Sequence, residues 1–311
     1  MIARMEPTTL IRLQNEVMQV EVNKRGAELH SFKLLEDKET QYLWQGDPGC
    51  WSSRSPLLFP IIGSLKEGSY TYEGTRYALP THGFAKSEMF ELERHTADNA
   101  VFVLRSSPST VECYPFEFEL RLSYTLTGNR LNCQYTVDNT GDKEMYFSIG
   151  AHPGFALHAP SDQYYLLFEL PETIHPHRTE NRLVLDAPEH VLLQNERRWD
   201  LNADMFVRGA YVCKRIQSRK LLLCSDLRSK AVEVGWEGFS LLGIWTKPGA
   251  PFICIEPWTG HGDTASCSGK LREKPMITCL ASGKRFRAKM DIAIKDRPEQ
   301  RRRYVRYLSH D

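Results

Sequence analysis

The feature that most constrains the fold is an unbroken alternation. From Phe116 to Leu126 apolar and polar residues alternate, Gly128-Asn129 follows, and the alternation resumes from Leu131 to Val137. Period-2 patterning marks a strand with one buried face. Gly and Asn accept the positive φ that tight hairpin turns demand, so the segment predicts a β-hairpin. A second hairpin is predicted at Tyr70-Thr-Tyr72, turning at Glu73-Gly74 into Thr75-Arg-Tyr77. Further strands are expected at Met18 to Val22, Leu29 to Leu34, Ala100 to Leu104, Leu221 to Cys224, Ala231 to Val234, Ser240 to Trp245 and Phe252 to Glu256. Helical patterns of useful length are scarce. Many short strands with Gly, Pro, Asn and Asp between them predict an all-β chain built as a large β-sandwich.

No linker, repeat or composition shift divides the chain before about residue 294, which predicts one domain over 1–294 and a basic tail over 295–311. The stretch from Leu170 to Arg198 carries Pro171, Pro176 and Pro188 with few alternations, and is expected to be an irregular surface excursion. The tail sets Lys295, Arg297, Arg301, Arg302, Arg303 and Arg306 against Asp296, Glu299 and Asp311. A solvated charged tail is its simplest reading. A weaker alternative gives it a partner role, with an acidic surface or nucleic acid.

A net charge of +1 leaves no overall electrostatic footprint for nucleic acid. A small neutral or mildly charged ligand fits better. The longest apolar runs fall short of a membrane span, and the first residues lack a signal-peptide core, so neither a membrane role nor secretion is expected. Eight cysteines are scattered without a CxxC pair, which fits reduced thiols in the cytoplasm.

Four stretches set polar groups inside apolar or glycine-rich surroundings. Arg54 precedes the apolar run from Pro56 to Ile62, where a guanidinium needs acceptors, whether in a structural salt bridge or on a ligand. His82-Gly83 lies on a loop after the second hairpin, and His152 sits between Gly150 and Pro153-Gly154. Either histidine could be incidental to its turn or a functional group. Glu256 closes the apolar strand Phe-Ile-Cys-Ile, so it is either salt-bridged or has a raised pKa suited to proton transfer. Trp245 and Trp258 flank it, as core residues or as faces for a sugar ring. P-loop, GxGxxG, GxSxG and HExxH motifs are lacking, and His175-Pro-His177 alone is weak evidence for zinc. A metal or cofactor is therefore not expected.

Together these stretches resemble the aldose 1-epimerase (galactose mutarotase) family, and more closely its compact LacX-like branch. The resemblance covers about residues 10 to 293. It is carried by Arg54 with Pro56-Leu-Leu-Phe-Pro60, His82-Gly-Phe-Ala-Lys86, Gly150-Ala-His152-Pro-Gly-Phe155, and Ile244 to Gly260. It implies an antiparallel galactose mutarotase-like supersandwich with a sugar cleft, and cofactor-free interconversion of the α and β anomers of a hexose or hexose phosphate. Carried over, His152 is the ring-oxygen acid and Glu256 the anomeric base, with Arg54, His82, Lys86 and Trp258 on the substrate. Two positions depart from the family's pattern. Lys86 stands where this branch usually carries arginine, and Gly209 stands at the place of a substrate-binding aspartate, with Asp204 nearby. The second departure motivates an alternative, a non-catalytic carbohydrate-binding or sensing protein on the same fold.

Overall fold

The computed structural model describes residues 9–298, and two large antiparallel sheets dominate it. A nine-stranded sheet runs, in spatial order, through Leu193–Asp200, Tyr164–Ile174, Lys220–Ser225, Lys230–Glu237, Arg285–Asp296, Arg130–Asn139, Phe118–Thr127, Asn99–Arg105 and Glu91–His95. The long alternation forms its middle, with Leu131 opposite Leu126 and Val137 opposite Leu120. The Glu73-Gly74 hairpin also forms, joining Ser69–Tyr72 to Thr75–Ala78 with both turn residues at positive φ.

The second sheet carries the site. Its order is Leu183–Val184, His177–Glu180, Tyr211–Lys214, Leu241–Trp245, Phe252–Trp258, Gly150–Ala151 and Leu57–Leu58, with Gly154–Ala156 also paired to Phe252–Trp258. Every residue of Phe252–Trp258 is buried, which is why it reads as a continuous apolar run rather than an alternation. The pleat still sorts its side chains. Ile253 and Ile255 join the main core with Leu122, Val137 and Ile292 of the nine-stranded sheet. Trp258 joins a separate small cluster with Leu58, Ile62, Val184, Val212 and Leu241 on the other face. A fully buried Ile contributes about 1.5–3 kcal/mol, so the inward face anchors the strand whose outward face is left for chemistry.

Two expectations need correction. The Leu170–Arg198 stretch is not an irregular excursion: it holds the end of Tyr164–Ile174, the hairpin His177–Glu180 and Leu183–Val184, and most of Leu193–Asp200. Pro171 falls where the register between Tyr164–Ile174 and Leu193–Asp200 shifts, and Pro176 falls between strands, so neither proline removes a needed ladder bond. At the other end, the last strand passes residue 294 to Asp296. The Arg297 backbone N–H then donates to the Ser229 carbonyl at 2.7 Å, and its guanidinium meets Asp226 at 3.0 Å. Arg301, Arg302, Arg303 and Arg306 lie outside the described residues. Among the described residues, no helix is long and apolar enough to cross a membrane.

Candidate active site

A cavity of about 660 Å³ opens on the outer face of the second sheet. His152 and Glu256 meet on its wall. Gly150–Ala151 and Gly154–Ala156 both pair with Phe252–Trp258, so the short connection carrying His152 is held against the strand carrying Glu256. His152 Nε2 lies 3.2 Å from Glu256 Oε2, with the two residues 7% and 1% exposed. Burial pulls the imidazole well below its ordinary range, helped by neighbouring His82, and pushes the carboxyl well above its own against a smaller pull from the Trp258 indole. Both directions favour neutral forms, so the pair holds one proton between its two groups.

Aromatic rings fix the imidazole. Trp51 stacks on it at 5.0 Å, while Trp245 and His82 meet it edge-on at 5.7 and 5.5 Å. The glycines of the His152 motif have a steric reason. A Cβ on Gly154 would come within 2.7 Å of the Trp51 ring, and one on Gly150 within 2.5 Å of Trp258. Gly243, on the strand at the other side, would bring a Cβ within 2.5 Å of the same indole. Trp258 therefore lies flat across two bare backbones, with its benzene edge over Gly243 and its pyrrole edge over Gly150.

His82 and Lys86 also line the cavity. The Gly63 N–H donates to His82 Nδ1 at 3.1 Å, which places the ring proton on Nε2. Burial, with Lys86 nearby, brings its pKa down to about 3. Lys86 Nζ donates to the Thr81 carbonyl at 2.8 Å, leaving two ammonium hydrogens free, and its pKa is lowered by burial. Arg54 does not line the cavity. Its guanidinium lies beside Gly46, while its backbone N–H donates to Glu28 Oε1 at 2.8 Å and its carbonyl accepts from Gly154. The Arg54 segment thus supports the His152 segment through the main chain.

Gly209 lines the cavity at positive φ, and a Cβ there would stand 2.2 Å from Thr179 Oγ1, so a side chain would require Thr179 to move. Asp204 is exposed in a short turn and takes no part in the lining. Residue reasoning also missed Thr179, Arg182 and Val184, all on the hairpin whose alternation its prolines and short strands obscured. Arg178 ties that hairpin down by stacking 3.7 Å over Tyr211 and donating to the Met205 carbonyl. For a metal, the one group of three potential ligands brought together among the described residues is His152, Cys254 and Glu256, within 4.8 Å of one another. His177 instead faces the Leu185 carbonyl.

Comparison with known proteins agrees with this architecture. The sequence pattern of the family described as aldose 1-epimerase matches residues 9–167. The plasmid-encoded protein LacX of Lactococcus lactis subsp. lactis is 31% identical over 298 residues, covering 91% of this chain and 99% of LacX. Among solved structures, a galactose mutarotase related enzyme from Lactobacillus acidophilus superposes with a TM-score of 0.86 at 30% identity, covering 92% of this chain and 97% of its own. A galactose mutarotase-like protein from Lactobacillus casei gives 0.87 at 26% identity, covering 92% and 100%. With its two-sheet architecture and its LacX relative aligned over nearly the whole length, the chain belongs to the aldose 1-epimerase family.

Proposed function

We propose that this protein interconverts the α and β anomers of a hexose or hexose phosphate, with His152 and Glu256 as the proton-transfer pair. The observation that carries the reading is the 3.2 Å approach of the two groups at the cavity wall. Ring opening needs a proton delivered to the ring oxygen and one removed from the C1 hydroxyl. A pair holding one proton matches that count. In the neutral pair that proton is on Glu256; its passage to His152 gives the reacting form, in which His152 protonates the ring oxygen while Glu256 takes the hydroxyl proton. The carbonyl that forms is free to rotate about C1–C2, and reclosure with the roles reversed gives the other anomer and restores the pair. No net proton comes from solvent.

His82 Nε2–H and the Lys86 ammonium are donors for sugar hydroxyls, and Trp258 offers an aromatic face to the C–H side of a ring. Arg54 is left out of these contacts, because its guanidinium lies beside Gly46 and it is not among the lining residues. The test is NMR exchange spectroscopy on hexoses, pentoses and their phosphates, with wild type beside Glu256→Gln and His152→Asn. Accelerated exchange lost in both variants is expected; wild-type protein that accelerates none of these sugars ends the reading. The absence of a carboxylate at Gly209 favours a second reading, sugar binding without catalysis. Saturable binding that survives Glu256→Gln, with no exchange in the wild type, would select it.

A further inference from the structure

The geometry points to an anionic sugar as the ligand, one whose phosphoryl or carboxylate group is held by Arg182 with Lys86 at the cavity rim. This rests on the sugar-binding reading above and narrows its substrate class. Arg182 lines the cavity, is exposed, and has no hydrogen-bond or ion-pair partner among the described residues. Its neighbours differ. Arg208 pairs with Glu189 at 2.6 Å, and Arg178 is buried, stacked on Tyr211 with one nitrogen on the Met205 carbonyl.

Glu256 is the sole carboxyl among the lining residues, and burial favours its neutral form. Gly209 lines the cavity without a side chain, its Cα hydrogen facing the Thr179 hydroxyl. The His152–Glu256 pair is neutral as a unit wherever its proton sits, so Lys86 and Arg182 are in excess on the lining, which suits an anion better than a neutral ring. Arg182 also occupies the second position of a two-residue turn, at φ 69 after Asn181 at φ 50, between the paired Glu180 and Leu183. Glycine is the usual residue there. An arginine in that strained conformation fits a ligand clamp better than it fits turn stability.

Beside Arg182 a second hollow of about 230 Å³ shares Ser64, Thr81 and Arg182 with the cavity. The Ser64 and Thr81 hydroxyls sit 2.8 Å apart there, and the Lys86 ammonium rests on the Thr81 carbonyl. A substituent at the far end of a ring placed against Trp258 would be received by this group. Glu67 also lines the hollow, and Arg76 faces it at 3.4 Å.

The test compares D-glucose with D-glucose 6-phosphate and D-glucuronate, and the galactose counterparts, by NMR exchange and by calorimetric binding. Wild type should favour at least one anionic sugar over its neutral parent. Arg182→Ala should cost that sugar roughly 10- to 100-fold in kcat/KM and in affinity, with the neutral parent changed less than about threefold. Arg182→Lys should recover part of the loss, and added salt should weaken the anionic sugar alone. Preference for the phosphate or for the uronate identifies the charged group. A neutral parent used as well as its anionic forms, or an Arg182→Ala loss equal for both, overturns the inference. If no sugar is exchanged but anionic binding still depends on Arg182, the epimerase reading fails and the anion site stands.

Discussion

The two ends of the cavity are built differently. At one end Glu256 and Trp258 share a strand and His152 sits on the short connection held against it, all buried, with Trp51 and Trp245 against the imidazole. At the other, Lys86, Thr179, Arg182 and Gly209 come from a short helical turn, a two-residue hairpin and a loop, and most are partly or fully exposed. The sheet end holds groups close and dry, as proton transfer requires. The loop end offers charge and hydroxyls at a rim, where recognition can differ between relatives without disturbing the core.

The contrast breaks first at the sheet end. Glu256→Gln and His152→Asn should each lower catalysed exchange by about 10²–10⁴-fold, the usual weight of a positioned acid or base. Glu256→Gln, which keeps the side chain's shape, should leave the melting temperature unchanged, and His152→Asn, smaller than the imidazole stacked on Trp51, should lower it without unfolding the protein. Activity within tenfold of wild type in either would remove that residue from the chemistry.

The next largest effect concerns the flat seat of Trp258. Gly243→Ala should cost about 1–3 kcal/mol by overpacking, since the indole is trapped between Gly243 and Gly150. Urea denaturation checks it. A neutral result would mean the ring has room to slide.

Gly209 probes the rim. Gly209→Ala should lose roughly 1–3 kcal/mol from positive φ and the Thr179 hydroxyl. In a Thr179→Ala background the loss should be smaller, with a coupling of about 0.5 kcal/mol or more. Simple additivity would deny that Thr179 closes this position.

The smallest effect is a bend in the pH dependence of stability. Unfolded, these three histidines take up protons below their ordinary value of 6.5; folded, His82 waits until about 3, His261 until about 4, and His152 is also held well down. Their stabilising contribution is complete above pH 6.5 and is lost as pH falls toward 4. Glu256 acts in the opposite sense, because its raised folded pKa makes stability decline as pH rises above its ordinary 4.5. Between 4.5 and 6.5 the histidines outnumber it, and above 6.5 it acts alone, so these four groups place a maximum near pH 6.5. Glu256→Gln should flatten the alkaline side in a series of melting curves. An unchanged slope there would argue against a carboxyl that stays protonated.

Much of the fold is legible in the sequence wherever one face of a strand meets solvent. Phe116 to Val137 alternates because its outward face is wet, and the hairpin forms as expected. Phe252–Trp258 is legible for another reason, its length as an apolar run ending in a lone carboxylate. The hairpin at His177–Val184 is not, since two-to-four-residue strands are too short to show a period, and Pro171 and Pro176 mark breaks that look like loop. The same limit hid Thr179 and Arg182. Arg54 shows the complementary limit: its residue type suggested a ligand contact, but the direction of its side chain follows from packing beside Gly46.

The seat of Trp258 has a consequence for how such proteins diversify. Its two supporting surfaces are main chain, and a side chain at either Gly150 or Gly243 would collide with the ring. Gradual substitution can hardly reshape that wall, because the smallest change at either glycine is already too large. Descendants that turn to a new ligand are left with the hairpin and loop opposite, where single exchanges at Thr179, Arg182 or Lys86 alter charge and shape while the His152–Glu256 wall is inherited intact.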